Sequence, residues 1–288
     1  MEVMRVKIAV IGGDRRSVLL AGLLQREGER PQSFALERAE LPEEVPRAEH
    51  LQAALYGADA VILPLPVEKG GLLNAPYARL PLRTEELFEA LWPGQLVFGG
   101  MFSERLRLRA LSQGLQPIDW MRRPGFVLGN AALTAEGAVG LLLQESERCL
   151  FGSRALVSGF GRIGRLLAGK LAALGVSVAV AARREESRAE AEALGCEALP
   201  FDALPGGFDF VVNTVPERVL GEDFLCCLPE TALLLELASA PGGYDRNLAE
   251  NLGLRCLAAP GLPGKSAPLS AAELMRREFR RAMKEERE

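Results

Sequence analysis

The stretch "LVSGFGRIGRLLAGKL", residues 156–171, decides how the rest of the chain is read. An apolar run ends in Gly159-Phe160-Gly161-Arg162-Ile163-Gly164, after which Ile163, Leu166, Leu167, Leu171 and Leu174 recur at helical spacing and Gly175 is placed to cap the end. That is a strand, a glycine turn and an amphipathic helix, the context in which Gly-x-Gly-x-x-Gly holds a dinucleotide. Gly159 would permit the tight turn, Gly161 would let the backbone approach a pyrophosphate, and Gly164 would let the helix sit close to the sheet. The helix N-terminus is then aimed at the anion. A turn with no ligand is the alternative reading.

The next strand, in "VSVAVAAR", bears on the choice of cofactor. An NAD site carries Asp or Glu at its end to accept from the ribose 2′-hydroxyl. Here the chain reads Ala181-Ala182-Arg183-Arg184, so two guanidinium groups stand where a 2′-phosphate would lie. NADP is therefore expected and NAD is the less favoured cofactor, with an ordinary solvated Arg pair as the alternative. A helix over 186–194 and strands at "FDFVVNTV", "ALLLELA" and "RCLAAP" complete this α/β cycle.

Upstream, "VKIAVI" at 6–11 runs into Gly12-Gly13-Asp14 and a helical stripe of Val18, Leu19, Leu20, Leu23 and Leu24. Strands in "ADAVILPL" and "QLVFGGM" flank a helical "RTEELFEAL", and residues 130–150 read as one long helix. Near the end, Ser270-Ala271-Ala272-Glu273 has capping-box spacing and should start the last helix. The expected fold is α/β, with two Rossmann-like doubly wound parallel-sheet domains joined by long helices and an inter-domain cleft. Residues 1–128 form a flavodoxin- or Rossmann-like substrate domain on which helix 268–288 packs back. Residues 129–267 form an NAD(P)-binding Rossmann domain that includes the connecting helix.

The 288 residues carry 48% hydrophobic and 25% charged side chains with a net charge of −4, which describes a globular chain without the basic footprint of a nucleic-acid binder. No apolar run is read as a membrane span, and the N-terminus lacks an export signal, so a cytoplasmic protein is expected. Five cysteines without paired C-x-x-C spacing read as buried thiols in a reducing compartment, and no metal ligand set is foreseen.

A single histidine, His50, lies in polar "RAEHLQ" and reads as a surface residue. A 2-hydroxyacid dehydrogenase generally uses a His as acid/base, so hydride chemistry here must use other groups. Strand ends face the site in open α/β sheets, which singles out Asn213 and Thr214 in "VVNTVP", Glu236 and Ser239 in "ELASAPGG", and Lys265 in "APGLPGKSAP". Arg183 and Arg184 join the glycine turn, including Arg162 and Ile163, on the cofactor side, together with Asn213, Thr214, Val215, Pro216, Ala238 and Ser239. Substrate binding is assigned to Asp14, Arg16, Thr134, Glu136, Pro263, Gly264 and Lys265, with Glu136, Asn213 and Lys265 as the catalytic candidates. Arg15 and Arg218 are further candidates for a substrate carboxylate. Helix capping by Thr134, a solvated Glu136 and a surface Lys265 are the structural alternatives.

Seven segments in order, "KIAVIGGDRR", "ADAVILPLP", "TAEGA", "GSRALVSGFGRIG", "VNTVP", "LELASAPGG" and "LAAPGLPGKSAP", resemble the dipicolinate synthase A-subunit family nearly end to end. The resemblance implies an oxidoreductase that converts a dihydrodipicolinate-level product of the lysine pathway, a pyridine-dicarboxylate precursor, to dipicolinate during sporulation, with hydride passing to NADP. It also implies a flavoprotein-like B-subunit of dipicolinate synthase as partner and a mother-cell cytoplasmic location; a homo-oligomer is expected. Gly159, Gly161 and Gly164 match the family's phosphate turn, Thr134 and Glu136 its T-x-E-G segment, and Asn213, Thr214 and Pro216 its N-T-x-P segment. Two alternatives stay open: a dehydrogenase of another small hydroxy or amino acid, and a non-catalytic nucleotide-binding subunit.

Overall fold

The computed structural model describes residues 6–286. Met1–Arg5, the start of the N-terminal reading, and Arg287–Glu288, the end of the expected last helix, lie outside the described residues. The chain divides into two compact units, residues 1–130 with 267–288, and residues 131–266.

The first unit runs β1 (Lys7–Ile11), α1 (Arg15–Arg26), β2 (Arg30–Phe34), α2 (Leu51–Leu55), β3 (Ala60–Ile62), a hairpin of β4 (Glu68–Lys69) and β5 (Leu72–Leu73), α3 (Thr84–Glu89), β6 (Leu96–Gly99), α4 (Glu104–Ser112) and β7 (Gln116–Asp119). A 3-10 turn, Trp120–Arg122, leads into α5 (Pro124–Glu145), which continues into the second unit. There follow β8 (Arg154–Ser158), α6 (Arg162–Ala173), β9 (Ser177–Ala181), α7 (Glu185–Ala193), β10 (Glu197–Leu199), β11 (Phe210–Asn213), α8 (Glu222–Cys226), β12 (Leu233–Glu236), α9 (Arg246–Asn251), β13 (Arg255–Ala258) and α10 (Leu262–Ser266). The last helix, α11 (Pro268–Glu285), belongs to the first unit and packs along α1.

Both main sheets are parallel. The first has strand order β2-β1-β3-β6-β7, which is the flavodoxin-like 2-1-3-4-5 plan once the small hairpin is set aside. The second, β10-β9-β8-β11-β12-β13, is the 3-2-1-4-5-6 plan of a dinucleotide-binding fold. Parallel strands with helices over both faces are buried on both sides, which is why "IAVI", "ALVS" and "FVVN" are continuously buried. In the second sheet the last register row places Ala181, Ser158, Asn213 and Glu236 side by side at the carboxyl ends of β9, β8, β11 and β12.

Four sequence expectations are corrected. The long helix spans 124–145 instead of 130–150: Pro124 opens it with a preset backbone, and past its end Ser146 Oγ accepts from the Arg148 amide at 2.9 Å. That helix is also long and apolar enough to cross a membrane, with a mean hydropathy of 1.6, contrary to the reading that no such run exists. Within each unit its apolar side is used internally, by Phe126 and Val127 in the first and by Ala131, Ala135, Ala138 and Leu142 in the second. Ser270 does not cap the last helix, because Pro268 at the first helical position starts it earlier. Of the five cysteines, only Cys196 and Cys256 are buried; Cys149, Cys226 and Cys227 are exposed.

Candidate functional site

Strand β8 delivers Ser158, fully buried, and then the chain turns at Gly159 with φ +96°. A Cβ on Gly159 would stand 2.5 Å from Thr214 Oγ1 and 2.7 Å from Val215 Cγ2, so the loop after β11 leans directly on this turn. Thr214 fixes that approach by donating its hydroxyl to the Ser158 carbonyl at 2.8 Å. Gly161 caps α6, and a Cβ there would meet nothing within 4 Å. A Cβ on Gly164 would lie 2.0 Å from the Gly159 carbonyl oxygen, so helix and turn are in close backbone contact there.

The first turn of α6 carries no acidic side chain, and Gly161 and Arg162 at its start are exposed. Free helical amides, the positive end of the helix dipole and an open approach at Gly161 together fit a diphosphate. At the end of β9, Arg188 Nη1 donates to the carbonyls of Ala182 and Arg183 at 2.9 and 2.7 Å, which pins the backbone while the Arg183 side chain stays 60% exposed. Arg183 pairs with Glu217, and Arg184 lies 3.9 Å from Glu186.

Beside the turn lies a closed polar network. Asn213 Oδ1 accepts from Ser158 Oγ at 2.8 Å and from the Val215 amide at 3.2 Å. Its Nδ2 donates to the Val215 carbonyl at 2.8 Å and to Glu236 Oε1 at 2.7 Å. Glu236 also accepts from the amides of Ala238 and Gly243, at 2.9 and 2.8 Å. Every donor and acceptor position of the Asn213 amide is thus engaged within the protein. The Asn213 side chain is fully buried, and these hydrogen bonds position the loops after β11 and β12. Gly242 and Gly243 close over the network, since a Cβ on Gly243 would fall 2.3 Å from Asn213 Cγ and one on Gly242 would fall 2.8 Å from Glu236 Oε2.

The remaining candidates fall into groups. Thr134 and Glu136 lie in the middle of α5 and not near its start; Thr134 is buried, and Glu136 is exposed with Lys170 Nζ of α6 at 3.5 Å. Gly137 packs against Ser266 and Leu262, whose Oγ and Cβ would be 2.5 and 3.3 Å from an added Cβ, so α5 and α10 touch there. Pro263 is buried, Gly264 half-buried, and Lys265, Pro216 and Ser239 are exposed. Arg218 pairs with Asp245 at 3.0 Å.

In the first unit Asp14 and Arg16 have structural partners of their own. Asp14 caps α1 by accepting from the Arg16 amide at 3.0 Å, and both its oxygens take the Arg16 guanidinium, at 2.9 Å from Nε and 2.8 Å from Nη2. Arg16 Nη2 also donates to the Leu65 carbonyl at 2.6 Å, which locks the turn after β1 to the end of β3. Arg15 is exposed. His50 is an exposed N-cap whose Nδ1 accepts from the Ala53 amide at 3.1 Å. Two grooves of about 510 and 410 Å³ lie in this unit, one at the amino ends of β3 and β6 around Asp59 and Gln95, the other along the outer side of β7 and reaching Phe102 and Asp119 at the carboxyl ends of β6 and β7.

Sequence reasoning missed Ser158 and Lys170. Ser158 carried one signal, a hydroxyl immediately before the first turn glycine at the end of an otherwise apolar strand. Burial, reinforced by Cys256 and Glu236, pushes the Tyr244 hydroxyl far above its ordinary range, and burial also raises the Cys256 thiol.

A 3-2-1-4-5-6 parallel sheet with its Gly-x-Gly-x-x-Gly turn at the first strand defines the second unit as a dehydrogenase-type nucleotide-binding domain. Residues 136–252 match the D-isomer specific 2-hydroxyacid dehydrogenase NAD binding domain, which indicates a nicotinamide cofactor, and residues 7–121 match the N-terminal domain of the dipicolinate synthase A-subunit. The chain is 30% identical over 222 residues to the dipicolinate synthase A-subunit of Bacillus subtilis (strain 168), covering 75% of each. It belongs to the dipicolinate synthase A-subunit family.

The crystal structure of the Bacillus subtilis dipicolinate synthase A-subunit superposes with a TM-score of 0.84 at 26% identity, covering 98% of this chain and 97% of that one. The Bacillus halodurans A-subunit gives 0.84 at 26% identity, with 96% of each chain covered. D-lactate dehydrogenase from Escherichia coli shares the fold, with a TM-score of 0.68 at 14% identity over 98% of this chain and 97% of that one.

Proposed function

We propose that this chain is the NADP-dependent dehydrogenase component of a dipicolinate synthase, converting dihydrodipicolinate and NADP⁺ to dipicolinate, NADPH and a proton. The observation that carries the reading is the open Gly161 approach at the start of α6, combined with Arg183 and Arg184 where an NAD site would hold a carboxylate. Gly161, Arg162, Ile163 and the amides around them would hold the diphosphate. Thr214, Val215, Pro216, Ala238 and Ser239 lie on the two loops that Asn213 and Glu236 brace. When bound, the nicotinamide supplies the hydride acceptor.

The protein's share is orientation, charge and proton disposal. Lys265 would offer its exposed ammonium to a substrate carboxylate, and Glu136, whose exposed carboxylate lies 3.5 Å from Lys170 Nζ, would receive the ring proton. Formation of an aromatic pyridine supplies driving force, which suits a chain whose one histidine caps a helix elsewhere. A cytoplasmic location follows from this chemistry, because both nucleotide and lysine-pathway intermediates are found there.

The test is turnover of enzymatically generated dihydrodipicolinate with NADP⁺ or NAD⁺, read by dipicolinate formation and reduced-nucleotide absorbance. Faster reaction with NADP⁺ supports the proposal; absence of nucleotide reduction with either cofactor removes it. A second reading, a nucleotide-binding component whose partner carries the chemistry, is favoured by the fully engaged Asn213 amide. It gains if turnover requires a flavoprotein-like B-subunit and survives Glu136→Gln.

A further inference from the structure

The ion pair between Arg183 and Glu217 connects the loops after β9 and β11, and β8 lies between those two strands. The pair therefore spans two strand spacings, roughly 9.6 Å, across the strand whose end carries the glycine turn. Glu217 sits four residues past Asn213, on the loop whose Thr214 and Val215 press against Gly159. Both members are exposed, at 60% and 59% of their side-chain surfaces, whereas the Arg183 backbone is fixed by Arg188. Arg183 thus has a fixed base and a solvent-exposed head with a carboxylate already on it.

We infer that Glu217 is a specificity-determining residue for the nucleotide: it occupies Arg183 in place of a ribose 2′-phosphate and is displaced when that phosphate arrives. The inference rests on the NADP reading above. An exposed carboxylate–guanidinium pair is weak and readily exchanged. A 2′-phosphate brings close to two negative charges and three acceptor oxygens to the same fork, so it outcompetes a single carboxylate. An unphosphorylated ribose offers only a hydroxyl and leaves the pair intact. The pair thus lowers affinity for the phosphorylated nucleotide by a modest factor and leaves the other form untouched. Arg184, 3.9 Å from Glu186, is free to add a second contact.

The experiment is fluorescence titration of the whole chain with NADPH and with NADH, in the wild type, Glu217→Gln and Arg183→Met. Removing the carboxylate that competes for Arg183 predicts up to about fivefold tighter NADPH binding in Glu217→Gln, the worth of an exposed ion pair. NADH should change less than twofold. Arg183→Met should abolish the preference for NADPH. Circular dichroism should be unaltered in both variants, since both side chains are exposed. If the wild type prefers NADPH and Arg183→Met removes that preference, yet Glu217→Gln leaves the ratio of affinities unchanged, the Glu217 inference alone is overturned. If Glu217→Gln weakens NADH, Glu217 is a ribose-hydroxyl acceptor and the inference is also overturned. A wild type that prefers NADH, with Arg183→Met neutral, overturns the NADP reading and this inference with it.

Discussion

Gly161 and Gly164 lie three residues apart, yet the structure gives replacement at each a different consequence. An alanine Cβ at 164 would fall 2.0 Å from the Gly159 carbonyl oxygen, so α6 or the turn must move by about 1 Å to bring that contact to the 3.0 Å limit. Both partners are backbone, so no side-chain rotation relieves the clash. The cost belongs with overpacking, about 1–3 kcal/mol, which lowers the melting temperature by roughly 3–10 °C for a unit of this size. At 161 an added methyl has no neighbour within 4 Å and the backbone φ is −81°, so the only cost is a poorer cap, about 0.5–1 kcal/mol. A nucleotide whose diphosphate approaches Gly161 would meet that methyl directly. Differential scanning fluorimetry and NADPH titration on the same samples separate the two effects. Gly161→Ala should keep most of the stability and lose at least tenfold in affinity, whereas Gly164→Ala should lose both. A Gly161→Ala protein that binds NADPH like the wild type would refute the reasoning, because the open approach would then have no diphosphate in it.

Asn213→Asp should place a second carboxylate 2.7 Å from Glu236 and oppose two acceptors at the Val215 carbonyl. We expect a loss of about 2–4 kcal/mol at pH 8 that shrinks as pH falls toward 5 and the pair shares a proton; thermal unfolding across that range checks it. Arg280→Ala should strip the buried Glu29 of its cation and Glu27 of one of two, costing about 1–3 kcal/mol in chemical denaturation. Partial burial works against the Glu27 charge, but the hydrogen bonds and charges of Arg280 and Arg276 hold its carboxyl below its ordinary range. That stabilisation is fully present above the unfolded value near 4.5 and fades as pH falls through the lower folded value, so the gap between wild type and Arg280→Ala should narrow in acid. Glu136→Gln should leave the melting temperature within about 1 °C, as its pair with Lys170 is exposed, while lowering kcat at least tenfold; unchanged kcat would remove Glu136 from the mechanism. Lys265→Ala should raise KM for the substrate with little effect on kcat, and steady-state kinetics would read the split.

The central strands were legible because both faces are buried, so "KIAVI", "RALVS", "FVVN" and "LLLE" stand out as apolar runs. Of the four edge strands of the main sheets, β13 in "RCLAAP" was legible and the other three were not. β2 reads RPQSF, β7 reads QPID and β10 reads EAL; two of them contain proline, which an edge tolerates and a central strand would not. The glycine turn was legible because each glycine's requirement is local. Which polar residues meet at the strand ends was not, since Ser158, Asn213 and Glu236 are separated by 55 and 23 positions and only the sheet register brings them into one row. Nor was the Asp14–Arg16 pairing legible, because the pattern of a turn followed by arginine is the same for a free anion site and for a self-satisfied cap.

The Asn213 network explains how a dehydrogenase-type domain can be built here without a histidine at its chemistry. Two loops that border the glycine turn, those after β11 and β12, are held by one amide and one carboxylate whose hydrogen bonds end on backbone amides, a carbonyl and a serine hydroxyl. The centre of that network is an amide, which does not ionise, and its carboxylate partner Glu236 accepts three hydrogen bonds. Oxidation of a hydroxy acid would still demand a base for the O–H proton as hydride leaves. Aromatisation of a dihydropyridine ring places its proton on an already activated position, so the scaffold can supply orientation and leave proton removal to an exposed carboxylate. For the dihydropyridine substrate proposed above, positioning by a closed buried network and proton transfer by a solvent-facing residue would be separate tasks, a division that the chemistry of the ring would allow as much as the fold.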